Sequence, residues 1–166
     1  MFSISSKNIL LPICFCALLI VNSTNTKAQY AKPEMRAVWV ATIGNIDWPE
    51  VPTTDTTILK DSYIKLLEKH RQMGINTMIV QIRPAADAFF PSPFEPWSQW
   101  LTGKQGRAPM ASFDILKFMI TETHKRNMEF HAWLNPYRAI PNTTSCNLDS
   151  KHITKTCPEW FVKYGT

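Results

Sequence analysis

Three short apolar runs in this chain each end in a cluster of side chains capable of recognition chemistry. Asn45, Asp47 and Trp48 follow residues 37–43. Arg83, Asp87, Phe89, Phe90, Trp97 and Trp100 follow residues 77–82, with Gln81 just inside the run. Residues 129–134 contain His131 and Trp133 and lead into Asn135, Tyr137 and Arg138. Flat aromatic rings stack on the C–H faces of sugars, while Asn, Gln, Arg and Asp satisfy hydroxyl groups. This mixture suits a glycan better than an apolar or phosphorylated ligand. Candidate substrate-binding residues are therefore Arg36, Trp39, Asp47, Trp48, Gln81, Arg83, Asp87, Trp97, His131, Trp133, Asn135, Tyr137 and Arg138.

Each candidate also has a plainer reading. Trp39 and Trp133 lie within apolar runs and either pack inside a core or present a ring to ligand. Arg36 precedes its run and either pairs with a carboxylate or binds ligand, whereas Arg83 sits at a run's end before a proline. His70 falls on an apolar helical face, which is a structural position, and His124 falls near a helix end in solvent. His131 differs, because strand alternation puts it on the same face as Trp133 and Asn135.

Glycoside hydrolysis usually needs two carboxyl groups, about 5.5 Å apart for retention or about 6.5–9.5 Å for inversion. The acids at the rim are Asp47 and Asp87, and either serves equally well as a loop cap or a hydroxyl acceptor. The catalytic acids are not identified among these residues. No two of the four histidines have metal-ligand spacing with a Cys or carboxylate. There is no nucleophile elbow, and Gly44-Asn45-Ile46-Asp47-Trp48-Pro49 cannot cradle a pyrophosphate. Neither a metal nor a cofactor is expected.

The elements that must position these groups follow from periodicity. Residues 37–43 (AVWVATI) read as a strand buried on both faces. From 55 to 73, Leu59, Tyr63, Leu66, Leu67 and His70 recur at helical spacing, with Gly74 as a stop signal. Residues 77–82 form a second strand, 113–126 a helix with Ile115, Leu116, Met119, Ile120 and Thr123 on one face, and 129–134 a third strand. The order βαβαβ implies a parallel sheet with right-handed crossovers, which is how a (β/α)8 barrel begins. A doubly wound sheet is disfavoured because no tight Gly-rich turn follows the first strand.

Composition agrees with a packed domain. The 166 residues are 45% hydrophobic and 19% charged, with 12 prolines, 6 tryptophans and only 5 glycines, which excludes disordered, collagen-like and coiled-coil classes. The excess of 18 Lys+Arg over 13 Asp+Glu is scattered singly rather than striped, so no nucleic-acid partner is expected.

Residues 1–28 read as a signal peptide: Lys7, an apolar stretch over 9–21 interrupted by Pro12, and a small-residue site at Thr26-Lys27-Ala28. The apolar stretch is shorter than the ~20 residues of a membrane-spanning helix, so no permanent span is expected after cleavage before Gln29. A lipoprotein reading would use Cys14 or Cys16, but both lie within the apolar stretch without the usual small residue before them. Export to the periplasm or the extracellular space follows. In that oxidising setting Cys146 and Cys157 either form a loop-stapling disulfide or remain independent thiols. The domain would occupy residues 29–166, about three βα units of a barrel that normally needs ~250 residues, so it is expected to be truncated at its C-terminal side.

Three blocks resemble a known family. Glu34-Met35-Arg36-Ala37-Val38-Trp39-Val40-Ala41-Thr42 with Asp47-Trp48-Pro49, then Gln81-Ile82-Arg83-Pro84-Ala85-Ala86-Asp87-Ala88-Phe89-Phe90-Pro91-Ser92 with Pro96-Trp97-Ser98 and Leu101-Thr102-Gly103, then His131-Ala132-Trp133-Leu134-Asn135-Pro136-Tyr137-Arg138 are similar to the glycosyl-hydrolase-like family 10 domain of bacterial envelope proteins. The blocks occur in the family's order across residues 34–138. The resemblance implies a (β/α)8 barrel acting on glycan strands, with peptidoglycan as the substrate class. It also implies that the family's acidic segment, an Asp-Gly followed by paired aspartates and aromatics, lies beyond Thr166. Ala86 stands where relatives often carry Gly. A non-catalytic glycan-binding or inactive fragment is the alternative.

Overall fold

The computed structural model describes residues 34–110, 112–140 and 147–162. The expected signal peptide and Cys146 lie outside the described residues. The described strands, helices and site all belong to the unit that begins at Met35.

Strands β1 (Ala37–Val40), β2 (Thr77–Arg83) and β3 (Glu129–Leu134) form one parallel sheet in the order β1-β2-β3. Helix α1 (Thr56–Gln72) joins β1 to β2, and the short α2 (Gln99–Thr102) and the longer α3 (Ile115–His124) lie between β2 and β3. A single-turn helix, α4 (Ile153–Thr156), follows β3. The βαβαβ order read from the sequence is thus present as a mixed α/β fold with a small parallel sheet. No helix among the described residues is long and apolar enough to cross a membrane.

The two long helices begin and end on sequence signals. Asp55 caps α1, its Oδ1 accepting from Thr57 N at 2.8 Å, and Asp114 caps α3 by accepting from Lys117 N at 2.9 Å. Gly74, at φ +80°, closes α1 in the left-handed conformation that glycine adopts without steric cost. Asn127, at φ 55°, marks the turn after α3, which ends two residues before the residue 126 expected from periodicity.

Strand β1 is shorter than the apolar run that encodes it, and hydrogen bonding explains where it stops. The next backbone donors are claimed by side chains: Ala41 N donates to Asp47 Oδ2 at 2.7 Å, while Thr42 N and Ile43 N both donate to Gln81 Oε1 at 3.0 Å. The chain then turns through a 3-10 segment, Ile43–Asn45.

The core lies between sheet and helices. Val40, Met78, Val80 and Ile82 meet Leu59, Tyr63 and Leu67 of α1 and Ile115 and Met119 of α3. Burial on both faces holds for β2 but not for β1, where Trp39 is 60% exposed, nor for β3, where Leu134 is 49% exposed. The central strand is flanked by partners on both sides, whereas β1 and β3 are the sheet's outer strands among the described residues.

Candidate functional site

Parallel strands deliver their following loops to one end of the sheet, and there the described residues build a connected group. Register pairs Trp39 with Ile79 and Trp133 with Gln81, placing the two tryptophans on the strands that flank β2. Their rings meet edge to face across β2 with centroids 4.9 Å apart. Trp133 Nε1 donates to Asn135 Oδ1 at 2.8 Å, and Asn135 Nδ2 donates to Pro84 O at 2.9 Å. Asn135 N donates to Arg83 O at 3.0 Å, extending the β2–β3 pairing past the irregular register at Gln81 and Arg83. Beside this group Trp133, Asn135, Pro136, Tyr137 and Arg138 line a depression of about 350 Å³. Tyr137 is 94% exposed. His131 is exposed and pairs with Glu129 at 3.1 Å.

Six other candidates are placed elsewhere. Arg36 precedes β1 at the opposite end of the sheet, where its Nε donates to Gly74 O and its N to Asn76 Oδ1. Trp48 is buried in the core, with Nε1 donating to Ser62 Oγ at 3.0 Å and its ring edge-on to Tyr63. Its loop folds back over α1 instead of extending the rim. Gln81 is fully buried, and its Oε1 organises the end of β1; its Nε2 has no partner among the described residues. Trp97 is half-buried and packed against the core. Asp47 clasps the turn after β1 and lines a separate groove of about 410 Å³ with Glu50, Asp61, Ser62 and Lys65, on the α1 side of that loop.

Asp87 is the sixth. It is buried, accepting from Ala85 N at 3.1 Å and Gln105 Nε2 at 3.3 Å, with the Ser98 hydroxyl also bonded to it. Burial pushes its carboxyl above the ordinary carboxylate range, and these hydrogen bonds and nearby His152 only partly oppose that shift. His152, which sequence reasoning missed, is also fully buried. Its Nδ1 accepts from Thr154 N at 3.3 Å, which leaves Nε2 to donate to Ala85 O at 3.2 Å. Together these bonds staple the segment after β3 to the loop after β2. Asp47 and Asp87 therefore form no accessible carboxylate pair.

Sequence reasoning also missed Glu95. Its carboxylate takes Arg83 Nε at 2.6 Å and pairs with Arg83 Nη2, while Arg83 Nη1 donates to Asn135 O. The available signal was weak: an acid in a proline-bounded turn, Pro93-Phe94-Glu95-Pro96, twelve residues after an arginine.

A parallel sheet with aromatic, amide and guanidinium groups gathered at its strand ends belongs to the α/β class that recognises ligands at that end. Residues 34–164 match the glycosyl hydrolase-like 10 family, and the chain belongs to it. It is 52% identical over 133 residues to glycosyl hydrolase YngK of Bacillus subtilis, covering 80% of this chain and 26% of that protein. To glycosyl hydrolase DigH of Escherichia coli it is 41% identical over 125 residues, covering 71% of this chain and 28% of the relative. The chain thus spans roughly a quarter of the length of these curated relatives.

Proposed function

We propose that this chain is the N-terminal, substrate-binding part of an exported glycoside hydrolase-like protein acting on glycan strands, with peptidoglycan the substrate class. Residues 29–166 would form the first three βα units of a (β/α)8 barrel. The observation that carries this reading is the Trp39–Trp133 pair, fixed through Asn135 beside the exposed Tyr137 and Arg138. A rigid aromatic edge next to amide, phenol and guanidinium groups matches the alternation of apolar faces and hydroxyls on a sugar chain. Family membership and relatives named glycosyl hydrolases support the same reading. Arg83 and His131 would border the site, and the catalytic acids would come from other residues of the full-length protein.

One observation favours a second reading, a non-catalytic glycan-binding unit: Asp87 is locked in buried hydrogen bonds, and Asp47 holds the turn after β1 and lines a separate groove. Both readings share a test. In the full-length protein, Trp133→Ala is expected to weaken binding of peptide-free glycan strands by roughly tenfold or more without changing the melting temperature appreciably. Unchanged affinity in a folded variant overturns the binding reading. Release of reducing ends by the full-length protein separates hydrolase from binder.

A further inference from the structure

Arg83 stands where a ligand-binding cation belongs, yet its guanidinium is largely committed within the protein. Nε and Nη2 both engage Glu95 Oε1, and Nη1 donates to the main-chain carbonyl of Asn135. The two side chains are only 18% and 16% exposed, so water screens the pair weakly. Glu95 is itself held in place: its N donates to Ser92 Oγ at 3.2 Å, and Ala88 N donates to the carbonyl of the next residue, Pro96, at 2.9 Å. The acid sits on a strut fixed at both sides.

The bonds beyond Arg83 lead to the tryptophans. Asn135 is anchored by its carbonyl to Arg83 and by Nδ2 to Pro84 O, so its Oδ1 has a set position from which to accept Trp133 Nε1. Trp133 in turn meets Trp39. Without Glu95, Arg83 would be a half-buried cation lacking its counter-charge, and solvation would draw it away from Asn135.

We propose that Glu95 is a positioning residue of this face: by holding Arg83 against the Asn135 carbonyl it sets, through Asn135, the orientation of the Trp133 indole. Only the consequence for sugar binding rests on the glycan reading above.

The test uses Glu95→Ala and Glu95→Gln in the full-length protein. Circular dichroism reads the coupled signal of the Trp39–Trp133 pair, assigned by its loss in Trp39→Phe, and titration with an N-acetylglucosamine oligomer reads binding. Glu95→Ala is expected to lose the coupled signal and bind the oligomer roughly tenfold more weakly, as loss of a charge-assisted hydrogen bond predicts. Glu95→Gln, which keeps an acceptor oxygen but no charge, is expected to give a reduced signal. An unchanged signal in a folded Glu95→Ala variant overturns the proposal, as does the absence of any Trp39-dependent signal in the unsubstituted protein. If the Ala variant does not fold, the Gln variant decides, a reduced signal supporting the proposal and an unchanged one overturning it. Loss of the signal on Glu95→Ala where even the unsubstituted protein binds no oligomer supports the positioning role and counts instead against the glycan reading.

Discussion

At Ala86 the backbone adopts φ 50°, in the left-handed region where a Cβ is sterically costly, and the side chain is buried. The residue lies between the two ends of the Ala85–Asp87 hydrogen bond, so the turn that seats Asp87 imposes this conformation. A glycine at this position would relieve it. Ala86→Gly is therefore expected to stabilise the full-length protein by about 1 kcal/mol, the relief of the left-handed penalty exceeding the added entropy of the unfolded chain. Thermal unfolding checks it, and a lowered melting temperature contradicts it. The same turn shows why single residues were the least legible feature. Asp87 and Trp48 follow strand ends, and sequence position alone assigns them to the rim. Their side chains are buried because each loop folds back on the protein, a direction that depends on partners as distant as Gln105, His152 and Ser62. Asn135 was legible because it follows β3 directly, where alternation still governs direction.

Elements were far more legible, since they depend on local periodicity and caps. Helix α1 and β3 lie where apolar spacing puts them, α3 is two residues shorter at each end than its spacing suggests, and β1 is cut short by side-chain acceptors that no local pattern announces. What joins α1 to α3 also escaped the pattern. Tyr63 OH lies 3.1 Å from Thr123 Oγ1, and Thr123 Oγ1 already donates to Met119 O at 2.7 Å, so the phenol is the donor in this buried bond. Burial pushes the Tyr63 phenol well above its ordinary range, keeping it protonated and able to donate. At the surface, Arg126 bridges Glu68 and Glu122 at 2.8 Å each, tying the same helices together. Tyr63→Phe removes one buried hydrogen bond without opening a cavity. It is expected to cost about 1 kcal/mol in unfolding of the full-length protein. A loss near zero would mean that Thr123 finds another donor, and hydrogen exchange along α3 would locate it.

For the molecule as a whole, the sheet is covered unevenly. Helices pack against the sheet from one side, while Trp39 is 60% exposed, Leu134 is 49% exposed, and β1 and β3 each have an unpaired edge among the described residues. In the barrel proposed above, such edges would pair with further strands and the exposed face would turn inward. A polypeptide of residues 29–166 made alone would have to order its backbone at a cost of ~1–2 kcal/mol per residue. It would recover full burial only along β2 and the helices that pack on it. We therefore expect it to unfold over a broad temperature range, bind hydrophobic dyes and aggregate through its strand edges. Glycan hydrolysis should be absent as well, because Asp87 is buried and Asp47 lines a different groove. Calorimetry on the purified polypeptide tests the first expectation, and a sharp transition with matching calorimetric and van't Hoff enthalpies would refute it. Reducing-end release tests the second. Activity abolished by Asp87→Asn in a folded protein would mean that the buried carboxyl becomes accessible to substrate, and that the loop between β2 and α3 opens to let it in.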